Sequence, residues 1–374
     1  MKPISLFGVI NLPEMEAAAV EVLRSGRIAS GEYVAKFEFA FGALIGQQNV
    51  VSTIDMTSAM LLALHLAGVK PGDEVLTTAF TCMSSSSAIA QCGGTPVWVD
   101  VQPNSVEVDV YDLASKITSK TRAVILYHVA GYPGPATEVA KLCQDHGVAL
   151  IEDCNNALLA TRDGMHVGTH GDFAVYSFYP NRQINATEGG ALVCKSESTA
   201  SHARKLRRFG IDGTTFRSPI GEINPDSDIP EVGWACTMNN LCAAIGHAQL
   251  PTVSHRMQQT RSNVTALQKK IKDFSGLVLI PTFGYSQAAY WALLILVDHR
   301  DSIITSMKQQ GVHTSSIHQR NDVYTGFHAS SSHILPCTAK LQKRILAMPC
   351  GWWLSDSDLE TTAEALHKAL TAAA

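Results

Sequence analysis

A chain of 374 residues exceeds the roughly 250–300 at which a single hydrophobic core stops growing, so one large and one smaller unit are expected. With 46% hydrophobic and 17% charged residues it reads as a well-buried α/β protein, which excludes a disordered or fibrous chain. A net charge of −4, with 29 basic residues forming no long stripe, argues against nucleic acid or an anionic membrane as the main partner.

Residues 13–25 predict a helix, with Pro13 in its first turn and Gly26 as its stop. After a loop over 27–31, a strand at 49–53 feeds Asp55-Met56-Thr57-Ser58 and an apolar helix to Ala67. A strand running into a helix N-terminus presents free backbone N–H groups and a positive dipole end, which suits a phosphate. Thr57 and Ser58 add hydroxyls there, and both are also what caps a helix. A strand over 74–78 leads through Phe80 to a helix over 84–91. Strands at 95–100, 121–128 and 149–152 alternate with helices near 111–117 and 138–144. That alternation predicts right-handed β-α-β units and a parallel sheet, whose ligands bind at the carboxyl ends of its strands. His128, Asp153 and Ser177 fall at such ends.

A strand over 172–178 carries Ser177, and the next begins at Glu188-Gly189-Gly190, where glycines let backbone pass close to other atoms. A basic helix is expected over 201–210, a long loop over 212–232, and helices over 240–250 and 254–274. After Pro281 the composition shifts to a smaller α+β unit. It holds a strand at 291–298, a helix at 302–311, a strand at 313–317 leading into His318-Gln319-Arg320-Asn321, and a closing helix over 355–373. The expected division is a large α/β domain over 1–250 and a small α+β domain over 251–374. Nine cysteines without CxxC pairs read as buried free thiols, and no apolar run nears the roughly 18 residues of a membrane span. The opening Met1-Lys2-Pro3-Ile4-Ser5 lacks a long apolar stretch, so a reduced cytoplasmic location is the expectation.

The run Ser177-Phe178-Tyr179-Pro180-Asn181-Arg182, then Glu188-Gly189-Gly190, with Ile151-Glu152-Asp153-Cys154-Asn155-Asn156 upstream, resembles the cofactor site of the DegT/DnrJ/EryC1/StrS family. These are sugar aminotransferases that use pyridoxal 5′-phosphate (PLP), and the resemblance runs from about residue 10 to the C-terminus. It implies the type I PLP-dependent transferase fold, like aspartate aminotransferase, with a mainly parallel seven-stranded sheet and a smaller C-terminal α+β domain. It also implies a homodimer whose subunits share each site, PLP or pyridoxamine phosphate (PMP) as cofactor, a nucleotide-linked keto sugar as substrate and glutamate as amino donor. The setting it implies is amino-sugar, polysaccharide or natural-product biosynthesis. By position it assigns Thr57, Ser58 and Ser177 to the phosphate, Phe80 to stacking on the pyridine ring, Asp153 to the ring nitrogen and Asn156 to the ring oxygen. His318, Arg320 and Asn321 lie where relatives fold back over the site; they are candidates for an anionic substrate or the donor's carboxylate, and equally for a polar turn.

The sequence departs from the family pattern at several positions. The Schiff-base lysine position, five residues after the serine, is Arg182. Met56 stands for a glycine, Ala235 for the asparagine that reaches the neighbouring subunit's phosphate, and Thr237 for an arginine. A guanidinium stays protonated at working pH, so Arg182 is expected neither to form the Schiff base nor to serve as a general base. A change introduced to trap an adduct and a natural variant that has left ordinary transamination both fit. The alternative readings are a lysine-less sugar dehydratase, as in relatives with histidine in this slot, and a non-catalytic ligand-binding homologue.

Overall fold

The computed structural model describes residues 3–327 and 334–373. Helix α1 (Pro13–Ser25) ends at Gly26, whose φ of 71° is the left-handed conformation that stops helices. Helix α2 (Tyr33–Ile45) and strand β1 (Val50–Thr53) lead to α3 (Met56–Leu66), where Asp55 accepts the Ser58 backbone N–H at 2.7 Å. Next come β2 (Glu74–Thr78), α4 (Met83–Gln91), β3 (Thr95–Val99), α5 (Val110–Ser115), β4 (Thr121–Tyr127), α6 (Ala136–His146) and β5 (Ala149–Asp153). A small hairpin, β6 (Thr161–Arg162) with β7 (Met165–His166), precedes β8 (Phe173–Ser177), β9 (Gly190–Cys194) and α7 (Glu197–Leu206).

The seven-stranded sheet has the order β1-β9-β8-β5-β4-β2-β3. Strands β3, β2, β4, β5 and β8 pair in parallel, and β9 alone runs antiparallel to its neighbours β1 and β8. Strands β2 to β5 are buried along nearly their whole length, as a sheet covered on both faces requires. Their carboxyl ends set His128, Asp153 and Ser177 along one side of the sheet.

Helices α8 (Asn240–Ala248) and α9 (Leu250–Ile271) follow one another across Gln249. A second, three-stranded antiparallel sheet orders β10 (Leu277–Leu279), β11 (Leu293–Val297) and β12 (Ile345–Met348), and is flanked by α10 (Arg300–Gln309), α11 (Pro336–Arg344) and α12 (Asp356–Ala373). Ile4 bridges Val312 and belongs to this second core, so the first described residues pack with the C-terminal unit and not with the large domain. A shared cluster that includes Leu6, Phe80, Tyr127, Leu294 and Ile345 joins the two units.

Two expected elements differ. The basic helix is α7, starting earlier because Ser196 caps it by accepting the Thr199 N–H at 3.1 Å. The strand expected at 313–317 is not formed; Ser315 makes only an isolated bridge to Ala347. All nine cysteines are free thiols, and no helix among the described residues is long and apolar enough to cross a membrane.

Candidate active site

Gly190 explains how the corner at the start of α3 is assembled. A Cβ there would lie 2.4 Å from the Asp55 carbonyl oxygen and 2.7 Å from the Met56 nitrogen, so only glycine lets β9 reach the first turn of α3. Across the sheet Gly190 pairs with Thr53 on one side and Ser177 on the other. The Ser177 hydroxyl is thereby brought beside the start of α3, where Thr57 and Ser58 sit half-buried at the positive end of the helix.

At the end of β5 lies Asp153, wholly buried. Its carboxylate accepts the Ser85 hydroxyl at 2.6 Å, the Asn155 backbone N–H at 3.2 Å and the Asn155 amide at 2.9 Å. Burial raises its pKa above the ordinary range, with the Ser85 and Asn155 hydrogen bonds opposing. The end of β4 contributes Tyr127. Its hydroxyl accepts the Asn156 amide at 3.0 Å and shares a hydrogen bond with His318 Nε2 at 2.9 Å. Burial, then the positive charge of Arg182, push His318 down to about 3, so it is neutral.

Arg182 lies in the loop between β8 and β9. Its backbone N–H donates to the Tyr179 carbonyl at 2.9 Å, Nη1 donates to Asn181 Oδ1 at 2.6 Å, and the guanidinium lies 4.7 Å from the Trp291 ring centre. Trp291 is itself fixed: its backbone N–H donates to Ala130, its indole N–H to Asn181, and its ring stacks on Phe7 at 3.9 Å. Gln183 donates to the Asn156 carbonyl, and Arg256 donates to the Gln183 carbonyl, both at 2.7 Å. The loop is therefore preorganised, yet Arg182 Nε is buried without a partner. Burial lowers the pKa of this guanidinium while Tyr127, Cys82 and Asp153 pull it back up, and it remains a cation.

The structure thus brings Asp153, Asn156, Arg182 and His318 around Tyr127, with Thr57, Ser58 and Ser177 at the neighbouring corner. Three more of the expected residues are engaged by protein partners. Phe80 has no exposed surface and meets His318 in a T-shaped contact at 5.5 Å. Asn321 is buried and donates to the Ser86 hydroxyl at 2.8 Å. Arg320 is paired with Asp322, Nε to Oδ1 at 2.9 Å. Sequence reasoning passed over Tyr127, Trp291, Arg256 and half-buried Cys82, whose thiol accepts the Ser84 hydroxyl at 3.1 Å. For Arg256 a signal existed: it falls on the buried stripe of α9 with Val253, Met257, Thr260 and Val264.

The residues present fit a pyridoxal phosphate at two of its three anchoring points. Asp153 suits the ring nitrogen and the α3 corner suits the phosphate, while Arg182 cannot tether the aldehyde. The sheet, its switch of strand direction at β9 and this site define a type I PLP-dependent transferase fold.

The DegT/DnrJ/EryC1/StrS aminotransferase family profile matches residues 11–367, and the chain belongs to this family. GDP-perosamine synthase from Vibrio cholerae is 29% identical over 84% of this chain and 86% of its own. The dTDP-4-dehydro-2,3,6-trideoxy-D-glucose 4-aminotransferase of Saccharopolyspora spinosa is 28% identical over 97% of this chain and 95% of its own. The crystal structure of the sugar aminotransferase CalS13 from Micromonospora echinospora superposes with a TM-score of 0.91, at 30% identity, over 98% of this chain and 100% of that one. The family is PLP-dependent, and solved chains of this fold include a PLP form and a PMP form.

Proposed function

We propose that this chain is a sugar aminotransferase homologue that holds PLP or PMP non-covalently and takes a nucleotide-linked keto sugar, with glutamate as the amine source. The observation that carries the reading is Asp153, a buried carboxylate at a strand end, held by Ser85 and Asn155 one strand from the phosphate corner. When bound, the cofactor supplies an electron-withdrawing ring. Asp153 would face its nitrogen, Asn156 its ring oxygen, and Thr57, Ser58 and Ser177 its phosphate; a second copy of the chain completes the site. Arg182 keeps its proton at neutral pH, so the base on this side would be neutral His318, hydrogen-bonded at Nε2 to the Tyr127 hydroxyl.

A second reading, ligand binding without turnover, is favoured by one observation: Asp153 and Asn156 are 0% and 1% exposed, so the floor of the site is covered by protein. Absorption titrations with PLP and PMP, followed by borohydride reduction and mass spectrometry, separate the two. The expected result is a new band in the wild type without a reducible covalent link, and affinity lowered about tenfold or more in Asp153→Asn. Arg182→Lys should add the link and, with glutamate and a keto nucleotide sugar, amino-sugar formation. Failure of both wild type and Arg182→Lys to bind either cofactor would sink the first reading.

A further inference from the structure

Ile317 has a φ of 56°, in the left-handed region that a β-branched residue enters only under constraint. It is the centre of a three-residue turn closed from the His318 N–H to the Ser316 carbonyl at 2.7 Å, and its own N–H donates to the Ser315 hydroxyl at 3.0 Å. Backbone strain persists only where the surroundings over-determine it, and it gathers at functional sites. Both ends of this turn are pinned. Upstream, Ser315 exchanges two backbone hydrogen bonds with Ala347 of β12, in the C-terminal unit. Downstream, Asn321 is 2% exposed and reaches the large sheet's own loop and helix three times: its N–H donates to the Ala79 carbonyl at 2.9 Å, its amide to the Ser86 hydroxyl at 2.8 Å and, more distantly, to the Cys82 carbonyl at 3.4 Å. His318 lies midway between the two anchors. Its carbonyl accepts from Gln342 at 3.1 Å, and its ring meets Tyr127 from β4 and Phe80 from the turn before α4.

We propose that Asn321 is a positioning residue, the staple that holds the Ile317 turn in its strained form and so aims the His318 imidazole at the Tyr127 hydroxyl. Its acceptor is placed to link this to the rest of the site. Ser86 adjoins Ser85 on α4, and Ser85 is the donor that fixes Asp153 at 2.6 Å. Neighbouring serines of one helix thus hold the carboxylate at the end of β5 and the segment that brings the imidazole from the C-terminal unit. A backbone kept in an unfavourable well relaxes when its restraint is cut, so losing the bond at 321 is felt as a rotation at 318. Half-buried His318 then turns towards water and away from the Arg182 cation. That the imposed position serves proton transfer rests on the proposed function; that Asn321 imposes it does not.

The test follows the His318 ring by two-bond ¹H–¹⁵N spectra of the cofactor-free protein from about pH 5 to 8, the range in which an unperturbed imidazole titrates. In the wild type, burial and then the Arg182 charge, which push this imidazole down to about 3, keep the ring neutral throughout, so its signals stay flat. Asn321→Ala and Ser86→Ala should each return the ring to a more ordinary environment and raise its midpoint by at least about two units, a hundredfold in proton affinity, into the measured window. The double variant should go no further than Asn321→Ala, because the two side chains make one bond. Exposed Gln319→Ala, in the same segment, should leave the ring flat. Strain is tested apart: glycine is at ease at positive φ, so the unfolding constant of Ile317→Gly should be about two- to fivefold lower than that of Ile317→Ala. Flat ring signals in both Asn321→Ala and Ser86→Ala, whatever their melting temperatures, overturn the positioning role, and an Ile317→Ala more stable than Ile317→Gly overturns the strained turn. Should Asn321→Ala not fold, Ser86→Ala, which removes a single hydroxyl, decides. The ring titration needs no cofactor, so a chain that binds neither PLP nor PMP sinks the proposed function while the hold of Asn321 on His318 stands or falls by the spectra.

Discussion

Glu152, wholly buried, and Arg182, half-buried with its Nε covered, are charged side chains near the carboxyl ends of the same sheet, and they are treated in opposite ways. Glu152 accepts backbone N–H groups from Gly168, His170 and Gly171, each at 2.8 Å, and lies 3.2 Å from His128 Nε2. The Gly134 N–H occupies His128 Nδ1 at 2.9 Å, so the imidazole proton is on Nε2 and points at the carboxylate. Burial would raise the pKa of Glu152, but the hydrogen bond from His128, the nearby His170 ring and the Gly168 N–H outweigh it and hold it well below the ordinary range. His128, Glu152 and Cys154 lie within 4.8 Å of one another, a grouping that resembles metal ligands, yet these bonds already use the imidazole and the carboxylate. Arg182 has one side-chain hydrogen bond, an aromatic ring and an orphaned Nε. A charge paired on every side organises a fold; one left open among fixed neighbours is organised for something that arrives.

The comparison can be broken at either end. Glu152→Ala should cost most, about 3–5 kcal/mol in urea melts, because three backbone donors and His128 lose their acceptor at once. Its pH dependence has a definite sign. A carboxyl depressed on folding contributes stability above its unfolded pKa of 4.5, so the wild-type advantage should be full at neutral pH and shrink as pH falls below about 4.5. Arg182→Met should go the other way, neutral or stabilising by up to about 1–2 kcal/mol, since it removes an uncompensated buried cation. A large loss of stability from Arg182→Met would mean that the guanidinium is structural after all. Smallest of the three, Tyr127→Phe should cost about 0.5–1.5 kcal/mol and release His318 Nε2, read as a changed tautomer balance in the ¹⁵N spectrum of the ring.

Legibility in the sequence followed punctuation. Pro13 and Gly26 bracket α1, and the expected helix matches it residue for residue. Helix α2 carries no such marks: Glu32 makes no capping bond, and Tyr33 to Ile45 is apolar on most sides, which blurs the 3.6-residue period. At the site, Asp153, Ser177 and Arg182 could be read because their spacing lies within one stretch of chain. Trp291 could not, since only backbone pairing with Ala130 carries it under Arg182 from 109 positions away. Phe80 and Asn321 each meet a protein partner, His318 and Ser86, that no local pattern announces.

The stack of Phe7 on Trp291 has a consequence for how the protein is handled. Nearby, the Ser5 carbonyl accepts the Trp353 indole N–H at 3.3 Å, Gly8 lines the same small cavity as Arg182, and the Ile10 carbonyl accepts from Asn185 at 3.2 Å. Residues 5–10 are thus a panel of the wall around Arg182, laid down before α1 begins. Trimming them, or pulling on them with an appended tag, would be felt not at the periphery but at the guanidinium in the middle.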